Sequence, residues 1–358
     1  PTQVTKDSMR IYGLDWTRDG HELVFSSNRG GEPSLWSVLV DGGRIKQFSI
    51  QGEGLSDITI AHQGERLAYT KLFANSSIWR LDLSMKPPKL KPETPLISSS
   101  RDQLGAQYSP DGKEIVFFSN QGGNYEIWKS KSDGSGAVPL TSFGGPVNGT
   151  PRWSPDGHLI AFDSRKGGSA LNIYVVNSDG GIPKMLTFSS AFENNQPSWS
   201  HDGRWIYFSS NRTGRIEIWK VPADGGEERQ VTRHGGIAAF ESPDGKTLFY
   251  SKGLPGEIWK TPTTGGLEER VDAQLNNIGW GNWAITSKGI YFLRQVGSQG
   301  AYIGFYDFGL RRVIRVGSTN KPVDVGQSNL SVSPDGRWLL YSEVDQLVSD
   351  IMLVKNFR

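Results

Sequence analysis

The sequence predicts an all-β chain, an eight-bladed β-propeller of four-stranded antiparallel blades, from a repeated sentence, an even spacing of turn glycines and the absence of a sustained helical period. Four stretches, LDWTRDGHELVFSSNRGGEPSLW, QYSPDGKEIVFFSNQGGNYEIW, PRWSPDGHLIAFDSRKGGSALNIY and PSWSHDGRWIYFSSNRTGRIEIW, nearly copy one another, and weaker copies fill the gaps. The turn glycines are Gly20, Gly64, Gly112, Gly157, Gly203, Gly245, Gly289 and Gly336, spaced by 44, 48, 45, 46, 42, 44 and 47 residues. That interval, built from short strands and glycine turns, is the length of one four-stranded blade.

One unit serves for all. Pro151 to Ser154 reads as a short inner strand, and Ser154-Pro155-Asp156-Gly157 as a tight turn. Proline fixes φ there, aspartate bonds its own backbone and glycine takes the positive φ. Leu159 to Asp163, apolar and β-prone, is the second strand, and Ser164 to Ser169 a polar loop. Leu171 to Val176 is the third strand, Ser178 to Gly181 a second hairpin turn, and Lys184 to Thr187 the outer strand. Trp36, Trp79, Trp128, Trp219 and Trp259 recur in third strands, with Tyr174 in the same place, and are expected as packing plates between sheets.

The last unit ends after its third strand, and the TQVT of residues 2–5 resembles the outer strands around Leu186 and Val231. The N-terminal strand is therefore expected to join the last blade, closing the ring and removing its open edges. The chain becomes a single domain, 1–358, with blades at 11–49, 55–98, 104–141, 148–187, 194–232, 236–271, 279–316 and 326–358 plus 2–5. A chain of this length buries about three-quarters of its extended surface and needs no staples.

Composition removes several function classes. The absence of cysteine excludes disulfides, thiolate metal sites and a cysteine nucleophile. A balance of 39 basic and 37 acidic residues, with no basic tract interleaved with aromatics, gives no case for nucleic acid. The one basic cluster, KPPKLKPE around Lys86, Lys89 and Lys91, reads as an elongated hairpin loop in the second unit. No apolar run reaches the ~18 residues of a spanning helix, and no signal peptide is read, so the chain opens at a blade strand as a mature fragment would. No G-x-S-x-G elbow or P-loop is present. His21, His62, His158 and His201 each stand at the turn of a different blade, with His234 on the opposite side, so no metal cluster is expected. The turn aspartates lack the second carboxylate of a calcium loop; Asp111, Asp156, Asp244 and Asp335 are read as turn formers. The expectation is of no catalytic residues, no metal and no cofactor, in a monomer.

Function is then left to the channel mouth. The loops leading from an outer strand into the next inner strand are expected on one face and the Asp-Gly turns on the other. The former carry Asn148, Asn194, Asn195, Gln196, Asn276, Asn277, Asn282, Gln327 and Asn329, with Phe143, Phe192, Trp280 and Trp283 among them. Amides that donate and accept, beside aromatic plates, suit a polar uncharged ligand such as a glycan, or a peptide backbone. The same amides would equally cap loops and hold channel waters.

Aligned inner strands place Asp15, Thr59, Gln107, Ser198, Phe240, Ala284 and Ser331 in register with Arg152, and Asp57, Gln196, Asn282 and Asn329 with Thr150. By the period of two the registers share one side of the strand. The candidate ligand-binding residues are therefore Asp15, Asp57, Gln107, Arg152, Gln196, Trp280, Asn282, Trp283 and Asn329. Glu241 stands where other units have Trp153, Trp199 or Tyr108, and burial demands an arginine or amide partner, or a register shift that exposes it.

The pattern WSPDG, IAF, IY, DGG, LT resembles TolB-type propeller repeats, strongly in five units and loosely around Gly64, Ser287 and Leu347. The length and the ending DIMLVKNFR also resemble the C-terminal sensor region of CadC-like bacterial transcriptional regulators, in which a winged helix and a membrane helix precede a periplasmic propeller. The resemblance implies a non-catalytic periplasmic sensor or interaction domain that receives a peptide, protein or small polar ligand at the channel mouth, without touching nucleic acid or membrane itself. A carbohydrate-binding propeller is the alternative. Propeller polysaccharide lyases have similar repeats but rely on channel histidines and a metal, and matching histidines are missing here.

Overall fold

A computed structural model describes residues 2–5, 11–27, 29, 33–48, 55–84, 94–145, 147–166, 170–253, 255–297, 300–319, 321–323 and 330–357. These residues contain no helix and seven four-stranded antiparallel sheets, an arrangement consistent with a propeller. The chain divides into two compact units, Pro1–Ala74 with Gly144–Pro146 and Gln346–Arg358, and Asn75–Phe143 with Val147–Asp345.

The first unit holds one whole sheet, Ile11–Trp16, Glu22–Ser27, Ser34–Leu39 and Lys46–Gln47. Its core joins Val24 and Leu35 to Leu55, Ile58, Leu67 and Tyr69. The second holds five whole sheets, whose inner strands are Gln103–Tyr108, Asn148–Trp153, Asn194–Trp199, Ile237–Glu241 and Trp283–Ile285. Each sheet follows the expected meander.

The seventh sheet departs from expectation. Its order is Ser331–Val332, Trp338–Lys355, Arg66–Asp82, Leu55–Ile60, so the second and last units of the repeat share one sheet. Eight turn glycines serve seven sheets, and Thr2 to Thr5 lie outside every strand. The cause is in the loops. Elsewhere the link between second and third strands carries glycine, as in SNQGGNY, SRKGGSAL and SNRTGRIE, whereas TKLFANSSI and SEVDQLVSDI contain neither glycine nor proline. Nothing turns the chain at those two places, and it runs on as strands of 17 and 18 residues that pair with each other.

Within the second unit the pairing is tied by Leu83 N–H donating to Arg337 O at 2.7 Å, by the Arg337–Asp82 ion pair at 3.1 Å and by the Ser77 hydroxyl donating to Asp345. A bridge between Ile78 and Ile97 supplies the outer edge.

Six apolar clusters then link the sheets of this unit in succession. Ile78 and Leu340 pack with Tyr108 and Phe117. Phe118 and Ile127 pack with Trp153 and Phe162, and Ile173 and Val175 with Trp199 and Phe208. Tyr207 and Ile218 meet Leu248 and Tyr250; Phe249 and Ile258 meet Trp283 and Phe292. Leu293 and Ile303 close back on Leu339 and Tyr341. Each such side chain contributes roughly 1.5–3 kcal/mol on burial, so the sheet-to-sheet seams carry most of the stability. The third-strand tryptophans are only half-buried and flank this core; Arg212 lies over Trp219 at 4.3 Å and Lys252 over Trp259 at 4.0 Å.

Candidate functional site

The inner strands are not regular. In each of Leu55–Ile60, Gln103–Tyr108, Asn148–Trp153, Asn194–Trp199 and Ile237–Glu241 one extra residue bulges against the second strand, between Ser56 and Thr59, Leu104 and Gln107, Gly149 and Arg152, Asn195 and Ser198, and Ile237 and Phe240. The bulge brings Asp57, Gly105, Thr150, Gln196 and Ala238 to positive φ, 45° to 64°. Four of these are not glycine, and a β-branched threonine at 46° is held only by its surroundings. The Thr150 hydroxyl donates to Asp163, whose Oδ2 also accepts the Gln196 N–H at 2.9 Å. Burial raises the Asp163 carboxyl above the ordinary aspartate range against the pull of these two donors.

The bulge breaks the alternation on which the sequence reading relied. Gln107, Arg152, Ser198, Phe240, Ala284 and Ser331, one register from six inner strands, line a single cavity of about 330 Å³ in the second unit. The register of Thr150 and Gln196, two residues earlier, lies on the far side of the bulge and does not line it.

The cavity also runs toward the Asp-Gly turns. Pro110, Pro155, Pro243 and Pro334 stand in its wall with Ser109, Ser154, Ser200 and His201. The expected mouth was at the opposite ends of the inner strands. Five of these turns are closed by a serine and an aspartate: Ser154 Oγ donates to Asp156 Oδ1 at 2.5 Å, which also accepts the His158 N–H at 3.0 Å. The Ser154 hydroxyl first, and then that N–H, hold the Asp156 carboxyl below its usual range, and the turns at Asp111, Asp202, Asp244 and Asp335 repeat the device.

Three of the nine candidates therefore meet, namely Gln107, Arg152 and Trp283. Gln107 Oε1 accepts the Trp153 N–H at 2.8 Å. Arg152 is buried at 5% exposure; its Nη1 donates to Pro151 O at 3.1 Å and its guanidinium lies 5.3 Å from the Phe240 ring centre. Burial pulls its pKa down to about 10. Trp283 is a buried wall, edge-on to Phe240 at 4.8 Å, with Nε1 donating to Ser251 Oγ at 2.9 Å.

The other candidates are dispersed. Gln196 and Asn282 are buried away from the cavity, and Trp280 is half-buried outside its wall. Asp15 and Asp57 belong to the first unit. Asp15 Oδ2 accepts the Ile60 N–H at 2.7 Å, bracing two strands, and Asp57 is exposed. Asn329 lies outside the described residues.

Sequence reasoning passed over Ser331, Ser198 and Glu241 as wall residues, although the Arg152 alignment contained the first two. Glu241 is half-buried, and among the described residues neither an arginine nor a side-chain amide holds it: Tyr207 O–H donates to Oε1 at 2.6 Å and the His201 backbone N–H to Oε2 at 2.7 Å. Burial first, and then Glu241, push the Tyr207 phenol well above its usual range.

The first unit has its own depression of about 900 Å³, walled by Thr17, Asp19, Leu39, Phe48, Ile60 and Phe357. Among the described residues no three His, Asp or Glu side chains converge on a point, and no helix is long and apolar enough to cross a membrane.

A family model described as the TolB beta propeller domain matches residues 2–145 and 140–264. Over 138 residues, 38% of this chain and 20% of the relative, the sequence is 32% identical to the Tol-Pal system protein TolB of Anaeromyxobacter dehalogenans. Over 81 residues, 21% of this chain and 12% of the relative, it is 35% identical to the uncharacterized peptidase YuxL of Bacillus subtilis. The matches thus span an eighth to a fifth of these curated relatives. The crystal structure of TolB from Acinetobacter baumannii superposes with a TM-score of 0.52 at 15% identity, over 95% of this chain and 68% of that one, and shows the fold alone. The peptidase corrects the expectation that the chain stands apart from enzymes: such repeats also occur in a protein named as one.

Proposed function

Because the chain belongs to the TolB beta propeller domain family, we propose that it is a binding domain whose second unit forms a six-bladed ring and receives a ligand in the cavity at the centre of its inner strands. The carrying observation is the contrast between scaffold and wall. The turn serine and aspartate recur in five of the six sheets and the sheet-to-sheet apolar residues in all of them, whereas the cavity register reads Gln107, Arg152, Ser198, Phe240, Ala284, Ser331 with no two neighbours alike. At about 330 Å³ the space is at the lower end of small-ligand pockets. A peptide end, one sugar residue or a small polar molecule has the right size.

The biological setting we propose is a sensory or interaction domain of a bacterial membrane-anchored transcriptional regulator, held in the periplasm. This rests on the resemblance of length and C-terminal sequence, and a reading of the gene upstream of Pro1 for a winged helix and a membrane span tests it.

For the site itself, purified protein is screened against peptide and glycan arrays, and each hit is repeated with Ala284→Leu, which fills the cavity from a half-buried wall position. Loss of binding in a variant that melts like the parent supports the cavity. Hits that survive the substitution place the ligand elsewhere and overturn the assignment; sugar hits alone select the carbohydrate-binding reading.

A further inference from the structure

We infer that the Arg152 end of this cavity is an anion subsite that takes the carboxylate of a small polar acid. The inference rests on the proposed cavity and adds the chemistry of its ligand. Arg152 is nineteen-twentieths buried and lines the cavity, yet no carboxylate lies within ion-pair distance of it among the described residues. Among the described residues its guanidinium makes one hydrogen bond to protein, Nη1 to Pro151 O, which leaves the other donors of a five-donor fork to face the cavity. The buried acid nearest in influence, Asp163, is engaged by the Thr150 hydroxyl and the Gln196 N–H. A buried guanidinium without a counter-ion is costly to hold, and proteins keep such groups where an anion completes them.

The neighbouring polar atoms point to the same chemistry. Gln107 uses its oxygen on Trp153 N–H, so its amino group remains as a donor in the wall. Ser331 Oγ accepts the Tyr108 N–H at 3.2 Å, which leaves its proton to give. Ser198, by contrast, donates to Ala239 O at 2.5 Å. The one carboxylate in the wall, Glu241, has both oxygens bonded, by Tyr207 and by His201 N–H, with Lys220 near it. What the cavity offers at the Arg152 end is a set of N–H and O–H donors around a positive charge, the complement of an oxyanion. A volume of about 330 Å³, roughly ten water volumes, admits a compact body behind that carboxylate.

The test uses the full chain and two acids with neutral counterparts: glucuronate against glucose, and N-acetylalanine against N-acetylalanine amide, by titration calorimetry at low salt. At least one acid is expected to bind about tenfold or more tightly than its counterpart, and the pair that discriminates identifies a sugar acid or a peptide-like acid. Arg152→Gln is expected to erase that preference, Gln107→Leu to weaken acid binding several-fold, and Arg165→Gln, whose parent side chain is paired with Glu193 at 2.8 Å, to leave it unchanged. Should Arg152→Gln fold poorly, Gln107→Leu and the acid-to-neutral ratio of the parent still decide. Equal binding of acids and neutral counterparts, or no acid binding, overturns the inference. If ligands from the arrays are lost in Ala284→Leu but are indifferent to Arg152→Gln, the anion subsite fails and the cavity stands. If Ala284→Leu leaves them bound, both fail.

Discussion

Replacing Thr232 by valine removes one hydroxyl from a fully buried position without changing side-chain shape, and the structure fixes what is lost. Thr232 Oγ1 accepts the Ile218 N–H at 2.9 Å and donates to Glu217 Oε2 at 2.7 Å, tying the outer end of one sheet to its third strand. Glu217 is 1% exposed and keeps Arg215 and the Gly235 N–H as partners. The substitution strands a buried N–H, which costs about 1–3 kcal/mol, and takes a donor from a buried carboxylate, where a hydrogen bond contributes about 1.5–3 kcal/mol. A total near 3 kcal/mol is expected, or a fall in Tm of about 5 °C. Thr187→Val is the internal comparison. It strands the Ile173 N–H in the same way, but its acceptor is the neutral Asn172 Oδ1, which retains Ser189 N–H and Asn194 Nδ2. About 1–2 kcal/mol is expected there, or about 2 °C. Urea unfolding followed by tryptophan fluorescence reads both, with midpoints compared at constant slope. If Thr187→Val proves as costly as Thr232→Val, or Thr232→Val is neutral, charge at the acceptor is not what sets the strength of these ties.

Two further outcomes follow from the turns and bulges. Gly105→Ala is expected to cost about 1–3 kcal/mol, because its Cβ would stand 2.6 Å from the Phe118 ring rather than because of its φ of 64°, which Thr150, Gln196 and Ala238 tolerate in equivalent places. Phe118→Leu in the same chain is expected to restore part of the loss in a thermal melt, and an additive double variant would refute the steric account. The turn aspartates Asp19, Asp111, Asp156, Asp202, Asp244 and Asp335 all ionise below their usual range, first through a Ser or Thr hydroxyl, with Asp202 brought to about 2. Their stabilisation is whole above the unfolded aspartate value near ~4 and fades as pH falls through the folded values. Melting temperature is therefore expected to drop between about pH 4 and pH 2. In an NMR titration Ser200→Ala should move the Asp202 carboxyl upward, and an unmoved Asp202 would show that the hydroxyl is not the cause.

The reading of the scaffold succeeded where the signal is local. A Ser-Pro-Asp-Gly turn specifies its own geometry through φ preferences and side-chain bonds within five residues, so each copy could be read alone. The Arg152 register was also legible, since six of its eight members line one cavity. Gln196 falls outside the cavity because a period of two assumes an unbroken strand, whereas Asn282, buried just before Trp283–Ile285, falls outside it with no bulge in its strand. The repeated left-handed residue two positions before the cavity register breaks the period, and Thr150 and Gln196 do not betray a positive φ as glycine would. The amide-rich loops drew attention to one end of the inner strands, while the cavity runs toward the proline-walled other end.

The sequence by itself determined that the chain is all β, where its turns fall, and which positions pack sheet on sheet, because turn chemistry and alternation act over a few residues. It also contained, unread, the two glycine-free links at 72–75 and 344–350 that let strands run on. Only the tertiary structure decided which strands share a sheet. Pairing Trp338–Lys355 with Arg66–Asp82 depends on residues more than 250 positions apart, and no local preference selects such partners. The same long-range choice brings Ser331 beside Gln107 and Arg152 in one wall, so that Arg152 and five residues distant from it in the chain line one cavity, with no carboxylate among the described residues at ion-pair distance from the guanidinium.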